Sequence, residues 1–159
     1  MKMEPVKIGD GIYDVGVIDW NIRDFHGYST DIGTTYNSFL IVDEKTVLLD
    51  TVRKEFSDEL IDNIAAVIDP KKIDCVISNH TEMDHSGSLA RVMHKIGEDK
   101  PIYCSKMGYK NLSQAFSAKV ELPSRCQRGR TEPGPTDLDV SGNPHDPLAR
   151  QHVYLFERR

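Results

Sequence analysis

The sequence has little cysteine, no long apolar run and no excess of positive charge, and each shortage closes off a class of protein. Its three cysteines, Cys75, Cys104 and Cys126, are an odd number without paired spacing, which argues against a disulfide framework or a cysteine zinc site. Cys75 and Cys104 fall in apolar runs and read as small core residues. No run approaches the roughly 20 apolar residues that a bilayer helix requires. The N-terminus has neither a signal peptide's apolar core nor an arginine-rich, acid-poor presequence, so a cytoplasmic protein with no membrane partner is expected. The net charge of -5 and the interleaving of lysine with acid leave no basic stripe, and no nucleic-acid partner is expected. At 159 residues the chain is long enough for one domain with a proper core.

What is present is concentrated in Asn79-His80-Thr81-Glu82-Met83-Asp84-His85-Ser86-Gly87, directly after the apolar run Cys75-Val76-Ile77. The run reads as a buried strand, so the ligand-type residues begin where a strand ends, the place where α/β folds put their chemistry. A surface loop capping the next helix through Ser86 or Ser88 needs only one of these residues. Two imidazoles and two carboxylates within six residues instead read as a metal site. A loop can turn His80 and Glu82 toward one point and Asp84 and His85 toward a neighbouring one, as a two-metal cluster requires. Imidazole suits zinc or iron, and the carboxylate of Glu82 tilts the choice toward iron or manganese.

The rest of the chain supplies a frame for that loop. Val6 to Ile8 and Ile12 to Ile18 flank Gly9-Asp10-Gly11 and predict a β-hairpin. Trp20 to Thr35 has no period and reads as a long ordered loop. It carries His26 and Tyr28, which taken singly read as buried rings hydrogen-bonded to backbone. Tyr36 to Val42 and Thr46 to Asp50 read as two largely buried antiparallel strands around the turn Asp43-Glu44-Lys45. Asp50, at the end of Val47-Leu48-Leu49, suits either of two roles: capping local backbone or accepting from a ligand histidine to orient it. Ser57 is expected to cap a helix with Leu60, Ile61, Ile64, Ala65 and Ile68 inward, stopping at Asp69-Pro70. Ser88 to Ile96 is expected to be a helix with Leu89, Val92, Met93 and Ile96 inward, ended by Gly97, with His94 on the surface. Pro101 to Cys104 reads as a strand, and Lys106 to Phe116 as a helix with Met107, Leu112 and Phe116 available for packing.

Past Val120 the character changes. Residues 121–159 hold six arginines and no lysine, against three arginines and eleven lysines before them, and five of the eight prolines. Ser124 to Pro135 has neither period two nor 3.6, so residues 121–159 are expected to be a non-native or disordered tail.

Residues 1–120 resemble the N-terminal half of the metallo-β-lactamase-like domain of flavodiiron proteins, the A-type flavoproteins. The matching segments are Trp20-Asn21-Ile22-Arg23-Asp24-Phe25-His26-Gly27-Tyr28, Gly33-Thr34-Thr35-Tyr36-Asn37, Leu48-Leu49-Asp50-Thr51-Val52 and the cluster from Asn79 to Gly87. The fold the resemblance implies is α/β, a metallo-β-lactamase-like αββα sandwich cut to about its first half. Hydrolases of the superfamily carry histidine where Glu82 stands, and glutamate there marks the di-iron branch. The resemblance implies that His80 and Glu82 bind one iron and Asp84 and His85 the other, with His26 in the substrate pocket. It implies reduction of dioxygen to water or of nitric oxide to nitrous oxide, with electrons from FMN. The electron donor it implies is rubredoxin or a reduced deazaflavin, and the assembly a head-to-tail homodimer.

The family's remaining ligands, a histidine, a bridging aspartate and a last histidine, have no counterpart placed in this sequence. Nor does the sequence contain the family segment His-Trp-Pro-Asp-Ser-Met-Phe-Thr-Tyr or the flavodoxin-like FMN domain. Displacing the codons of residues 142–155 by one nucleotide permits Glu-Thr-Arg-Met-Ile-His-Trp-Pro-Asp-Ser-Met-Phe-Thr, which is that segment. A frameshift near Leu122 or Pro123 is therefore expected. Two alternatives accompany the reductase: a zinc-dependent hydrolase of the same fold, and an inactive fragment with an incomplete metal site.

Overall fold

A computed structural model of the chain describes residues 3–115, 136–139 and 154–157. The hairpin expected at the N-terminus forms from β1 (Val6–Gly9) and β2 (Ile12–Asp14), which are antiparallel, with a register shift between Lys7 and Gly9. The apolar run then breaks. Val17–Asp19 is a separate strand, β3, because the chain bends at Gly16, where a Cβ would stand 2.5 Å from the carbonyl oxygen of Tyr36. The long loop contains β4 (Asp24–Phe25) paired with β5 (Tyr28–Ser29), and its end, β6 (Thr34–Tyr36), pairs with β3. The strand expected from Tyr36 to Val42 is thus divided, and only β7 (Phe39–Val42) joins the main sheet.

Strand β8 (Thr46–Leu49) pairs antiparallel with β7, whereas β9 (Cys75–Ser78) lies parallel to β8 and β10 (Ile102–Cys104) parallel to β9. The sheet order is β1-β2-β7-β8-β9-β10. Because side chains alternate across a strand, Leu40, Leu48, Val76 and Ile102 share the main core with the helices, while Ile41, Val47, Cys75 and Ile77 form a second cluster. Cys75 is buried and Cys104 packs at the edge of the main core, in keeping with their reading as core residues. The fold class is the expected α/β.

Helix α1 (Ser57–Val67) buries Leu60, Ile61 and Ile64, as its period requires. Two details differ. A 3-10 turn at Lys54–Phe56 runs directly into the helix, so Ser57 is its first residue, with its hydroxyl donating to the Lys54 carbonyl, rather than its cap. Ala65 is exposed, and the inward position is held by Asn63. After a 3-10 turn at Pro70–Lys72, β9 leads into the short helix α2 (Met83–Ser86) and then α3 (Leu89–Ile96). Leu89, Val92, Met93 and Ile96 are buried, and Gly97 ends α3 at φ +126°. His94 is on the surface, with Nδ1 3.1 Å from a Glu98 oxygen. Helix α4 (Lys106–Ala115) buries Leu112 but exposes Met107, and Phe116 lies outside the described residues. Within residues 121–159, β11 (Thr136–Asp139) and β12 (Tyr154–Glu157) pair antiparallel; Cys126 and the proposed frameshift position lie outside the described residues. Among the described residues no helix is long and apolar enough to cross a membrane.

Candidate metal centre

The centre stands at the C-terminal edge of the parallel strands β8 and β9, and Asp50 builds it. Its N–H donates to the Ile77 carbonyl at 2.8 Å, extending the pairing, and its left-handed backbone (φ +55°) then turns the chain away. Aspartate tolerates that conformation better than most side chains. Asp50 Oδ1 accepts the backbone N–H groups of Asn79 at 2.6 Å and His80 at 3.1 Å. Its other oxygen lies 4.0 Å from His85 Nδ1. Backbone capping is therefore the hydrogen-bonded role, and Oδ2 faces the histidine beyond hydrogen-bond reach. Burial raises the Asp50 carboxyl to about 6, against the two backbone donors that lower it.

The loop after β9 is tied at both ends. The Ser86 hydroxyl lies 3.0 Å from the carbonyls of both Thr81 and Glu82. Thr51 donates both its N–H and its hydroxyl to the His85 carbonyl at 2.9 Å. Val52 and Ser88 exchange two further bonds, Ser88 N–H to the Val52 carbonyl and Val52 N–H to the Ser88 hydroxyl. At Gly87 a Cβ would stand 2.5 Å from the Met83 carbonyl and 2.8 Å from the Lys54 nitrogen. Ser86, read from sequence as a candidate helix cap, bonds the loop's own carbonyls instead. Thr51 and Gly87 hold the loop without being ligand types, which is why residue chemistry alone passed over them. Their signal was adjacency: Thr51 follows Asp50, and Ser86-Gly87 follows His85.

Within this frame the expected residues converge. His80 Nε2 is 3.5 Å from Glu82 Oε1, and His85 Nε2 is 3.2 Å from Asp84 Oδ2. The two imidazoles meet edge to face with centroids 5.2 Å apart. His26 arrives from a separate part of the chain, at the two-residue turn between β4 and β5, where His26 and Gly27 both have positive φ. Asp24 Oδ1 accepts the Gly27 N–H, and the Phe25 ring meets His26 edge-on at 4.2 Å. His26 is exposed, and so is Tyr28; neither is the buried, backbone-bonded ring expected of it. A tight turn puts both rings on the surface, and His26 Nε2 faces Glu82 Oε2 at 3.7 Å and Asp84 Oδ2 at 4.0 Å.

The donor set fits a metal. Asp84 Oδ1 and His85 Nδ1 are buried without a hydrogen-bond partner, which is costly unless something else satisfies them. Burial lowers the His85 pKa, with Asp84 opposing, so the ring is held neutral, the form that ligates.

A family model described as ODP family beta lactamase matches residues 34–125. Rubredoxin-oxygen oxidoreductase of Megalodesulfovibrio gigas is 48% identical over 118 residues, covering 74% of this chain and 29% of that protein. Nitric oxide reductase of Moorella thermoacetica is 47% identical over 116 residues, covering 72% and 29%. Among solved structures, the rubredoxin oxygen:oxidoreductase of Desulfovibrio gigas superposes with a TM-score of 0.70 at 46% identity, over 75% of this chain and 30% of that one. The flavodiiron protein of Giardia intestinalis gives 0.66 at 37%, over 72% and 28%. A metallo-beta-lactamase of Cronobacter sakazakii, at 19% identity and a TM-score of 0.55, shares the fold alone. The chain thus spans under a third of the length of these flavodiiron relatives. Matched over the strands and the loop that build the centre, the chain belongs to the ODP beta-lactamase family and corresponds to the N-terminal part of a flavodiiron protein.

Proposed function

We propose that residues 1–120 are the iron-binding N-terminal part of an oxidoreductase that reduces dioxygen to water, nitric oxide to nitrous oxide, or both. The observation that carries this reading is the convergence of His80, Glu82, Asp84 and His85 at one strand edge, with Asp84 Oδ1 and His85 Nδ1 buried and unpartnered. His80 and Glu82 would hold one iron, and Asp84 and His85 the other. When bound, such a pair supplies electrons together and open positions for a diatomic. The chain's own residues do the rest. Asp50 fixes the start of the loop through the N–H groups of Asn79 and His80, and Thr51 fixes its end through His85. In the complete centre His26 borders the substrate space, where its exposed ring can donate a proton or hydrogen bond.

Electrons would enter through FMN on a flavodoxin-like part of the full-length protein, from a rubredoxin or a reduced deazaflavin. A head-to-tail dimer would bring one subunit's FMN to the other's irons, in the cytoplasm. The test is a chimera joining residues 1–120 to the remainder of the Megalodesulfovibrio gigas rubredoxin-oxygen oxidoreductase. Anaerobic reconstitution should give two irons per chain and consumption of oxygen or nitric oxide. In that chimera, His26→Ala should alter turnover or product choice with iron content unchanged. A folded chimera that takes up zinc and hydrolyses a lactam or ester, with no reductase activity, would overturn the proposal.

A further inference from the structure

Thr81 stands between His80 and Glu82, and its side chain lies against helix α4. Thr81 Oγ1 accepts a 3.1 Å hydrogen bond from Asn111 Nδ2. Its methyl group comes so near the same helix that a Cβ at Gly108 would stand 3.2 Å from it, and as close to Cys104 Cβ. Gly108 is buried in the first turn of α4, where its N–H donates to the Ser105 hydroxyl at 3.0 Å. Glycine is the poorest helix former after proline, and here it permits an approach that a side chain would hinder. His80 and Glu82 instead meet each other, Nε2 to Oε1 at 3.5 Å, and Glu82 is extended at φ -69°, ψ 156°. Neighbouring side chains on an extended chain point to opposite sides.

We propose that Gly108 and Asn111 are positioning residues for His80 and Glu82: by holding Thr81 against α4 they turn the imidazole and the carboxylate together toward one point. The metal part of this role rests on reading the loop as metal-binding. Asp50 holds the His80 N–H, and Ser86 holds the carbonyls of Thr81 and Glu82. Those bonds fix where the backbone runs, and the Thr81 side chain fixes which way the stretch faces. Were Thr81 to turn inward, its two neighbours would turn out, as a one-residue slip does in a strand. The hold consists of one hydrogen bond and one close contact, so each can be removed separately. Thr81, Gly108 and Asn111 all lie within residues 34–125, the part that the family model matches.

The test uses the full chain, freed of metal by chelation and titrated with cobalt(II) chloride, with visible ligand-field absorption as the measure of affinity. Asn111→Ala and Thr81→Val each remove the hydrogen bond and should weaken binding roughly fivefold. The double variant should be no weaker than either, since both lose the same bond. Asn111→Asp, whose carboxylate accepts from the Thr81 hydroxyl, should restore affinity, but not beside Thr81→Val, where only its charge remains. Gly108→Ala should weaken binding although alanine favours the helix. Thr81→Ser beside it should recover much of the loss, because serine keeps the hydroxyl and lacks the methyl. Ser113→Ala, which removes a hydroxyl bonded within α4 to the Tyr109 carbonyl, should leave affinity unchanged. Urea midpoints that fall while cobalt affinity holds would reduce the contact to a structural one and overturn the proposal. Additive losses in the double variant, or no recovery with Thr81→Ser, would overturn it as well. In the metal-free protein, the nuclear Overhauser effect between the His80 and His85 rings, whose centroids are 5.2 Å apart, should weaken in Asn111→Ala and Gly108→Ala. A parent chain that takes up no cobalt would overturn the metal reading of the loop. The ring-to-ring effect then decides the positioning role by itself: weakening in the variants sustains it, and an unchanged effect overturns it.

Discussion

Asp50 and His80 are joined across 30 residues of sequence by a 3.1 Å hydrogen bond from the His80 N–H to Asp50 Oδ1. That bond and its neighbour from Asn79 set where the first histidine leaves the sheet. The other Asp50 oxygen faces the last histidine of the loop at 4.0 Å. One side chain just past β8 therefore ties the start of the cluster to the sheet, while its far end is held by Thr51. The same burial that makes Asp50 a good anchor makes its charge expensive.

The first prediction follows from that cost. The Asp50 carboxyl is raised from 3.8 to about 6, burial being the largest cause. The folded state thus binds this proton more tightly than the unfolded chain does. Its contribution to stability is full below about pH 4 and is lost as pH rises through about 6, on the order of 3 kcal/mol at the usual energy per pH unit. His85, lowered by burial, works in the opposite sense, losing stability as pH falls below its unfolded value. Asp50→Asn isolates the first effect, since the amide oxygen still accepts from Asn79 and His80. Urea unfolding of the metal-free proteins should show the variant gaining on the parent between pH 4 and 7. A difference independent of pH would refute this.

The second prediction concerns Thr51, which gives both its N–H and its hydroxyl to the carbonyl of His85. Thr51→Ser keeps both donors and should leave cobalt affinity within about twofold, less than the energy of one hydrogen bond. Thr51→Val removes the hydroxyl at nearly constant volume and should cost about 1 kcal/mol of stability. It should also weaken metal binding, because His85 and Asp84 lose a tether to β8. Equal cobalt affinities for the serine and valine variants would show that the N–H alone holds the loop.

How far these features were legible in the sequence depends on how local their causes are. The apolar run of β9 and the six-residue cluster after it announce themselves, because strand burial and ligand chemistry are written in adjacent residues. Helix α3 and its Gly97 stop follow from period and backbone freedom in the same way. The inward place of Asn63 does not, since its partners are carbonyls more than 40 positions away. Ala65 has the better apolar credentials and loses to those carbonyls. The segment from Trp20 to Thr35 reads as a loop because its strands are only two or three residues long and their pairing depends on bends elsewhere. The facing of His26 toward Glu82 and Asp84 needed that pairing.

The third prediction lies in the gene. The family match ends at residue 125, just beyond Leu122 and Pro123, where we propose that the frame shifts. Nucleotide sequencing across those codons should find one base gained or lost relative to flavodiiron relatives. Restoring it should return His-Trp-Pro-Asp-Ser-Met-Phe-Thr from the codons that now read residues 147–155. A frame that aligns uninterrupted with relatives through this region would end the idea.

The fourth prediction tests the bend that carries His26 to the site. Asn63 is buried on α1, and its Nδ2 donates to the carbonyls of Val15 at 3.1 Å and Gly16 at 2.9 Å. Those carbonyls lie where the chain leaves β2 for β3, and β3 with β6 brackets the segment that presents His26. Asn63→Ala removes both donors at once and leaves Val15, itself fully buried, without the amide its carbonyl accepts from. Each buried acceptor left unmade costs about 1–3 kcal/mol. Asn63→Asp should be worse, because it sets an acceptor against two acceptors and adds a buried charge. Urea midpoints should therefore fall in the order asparagine, alanine, aspartate. In the chimera, turnover of the still-folded Asn63→Ala protein should change with iron content unchanged if the bend positions His26. If turnover holds while stability drops, the β4–β5 turn keeps its place by its own contacts to Tyr36 through Phe25.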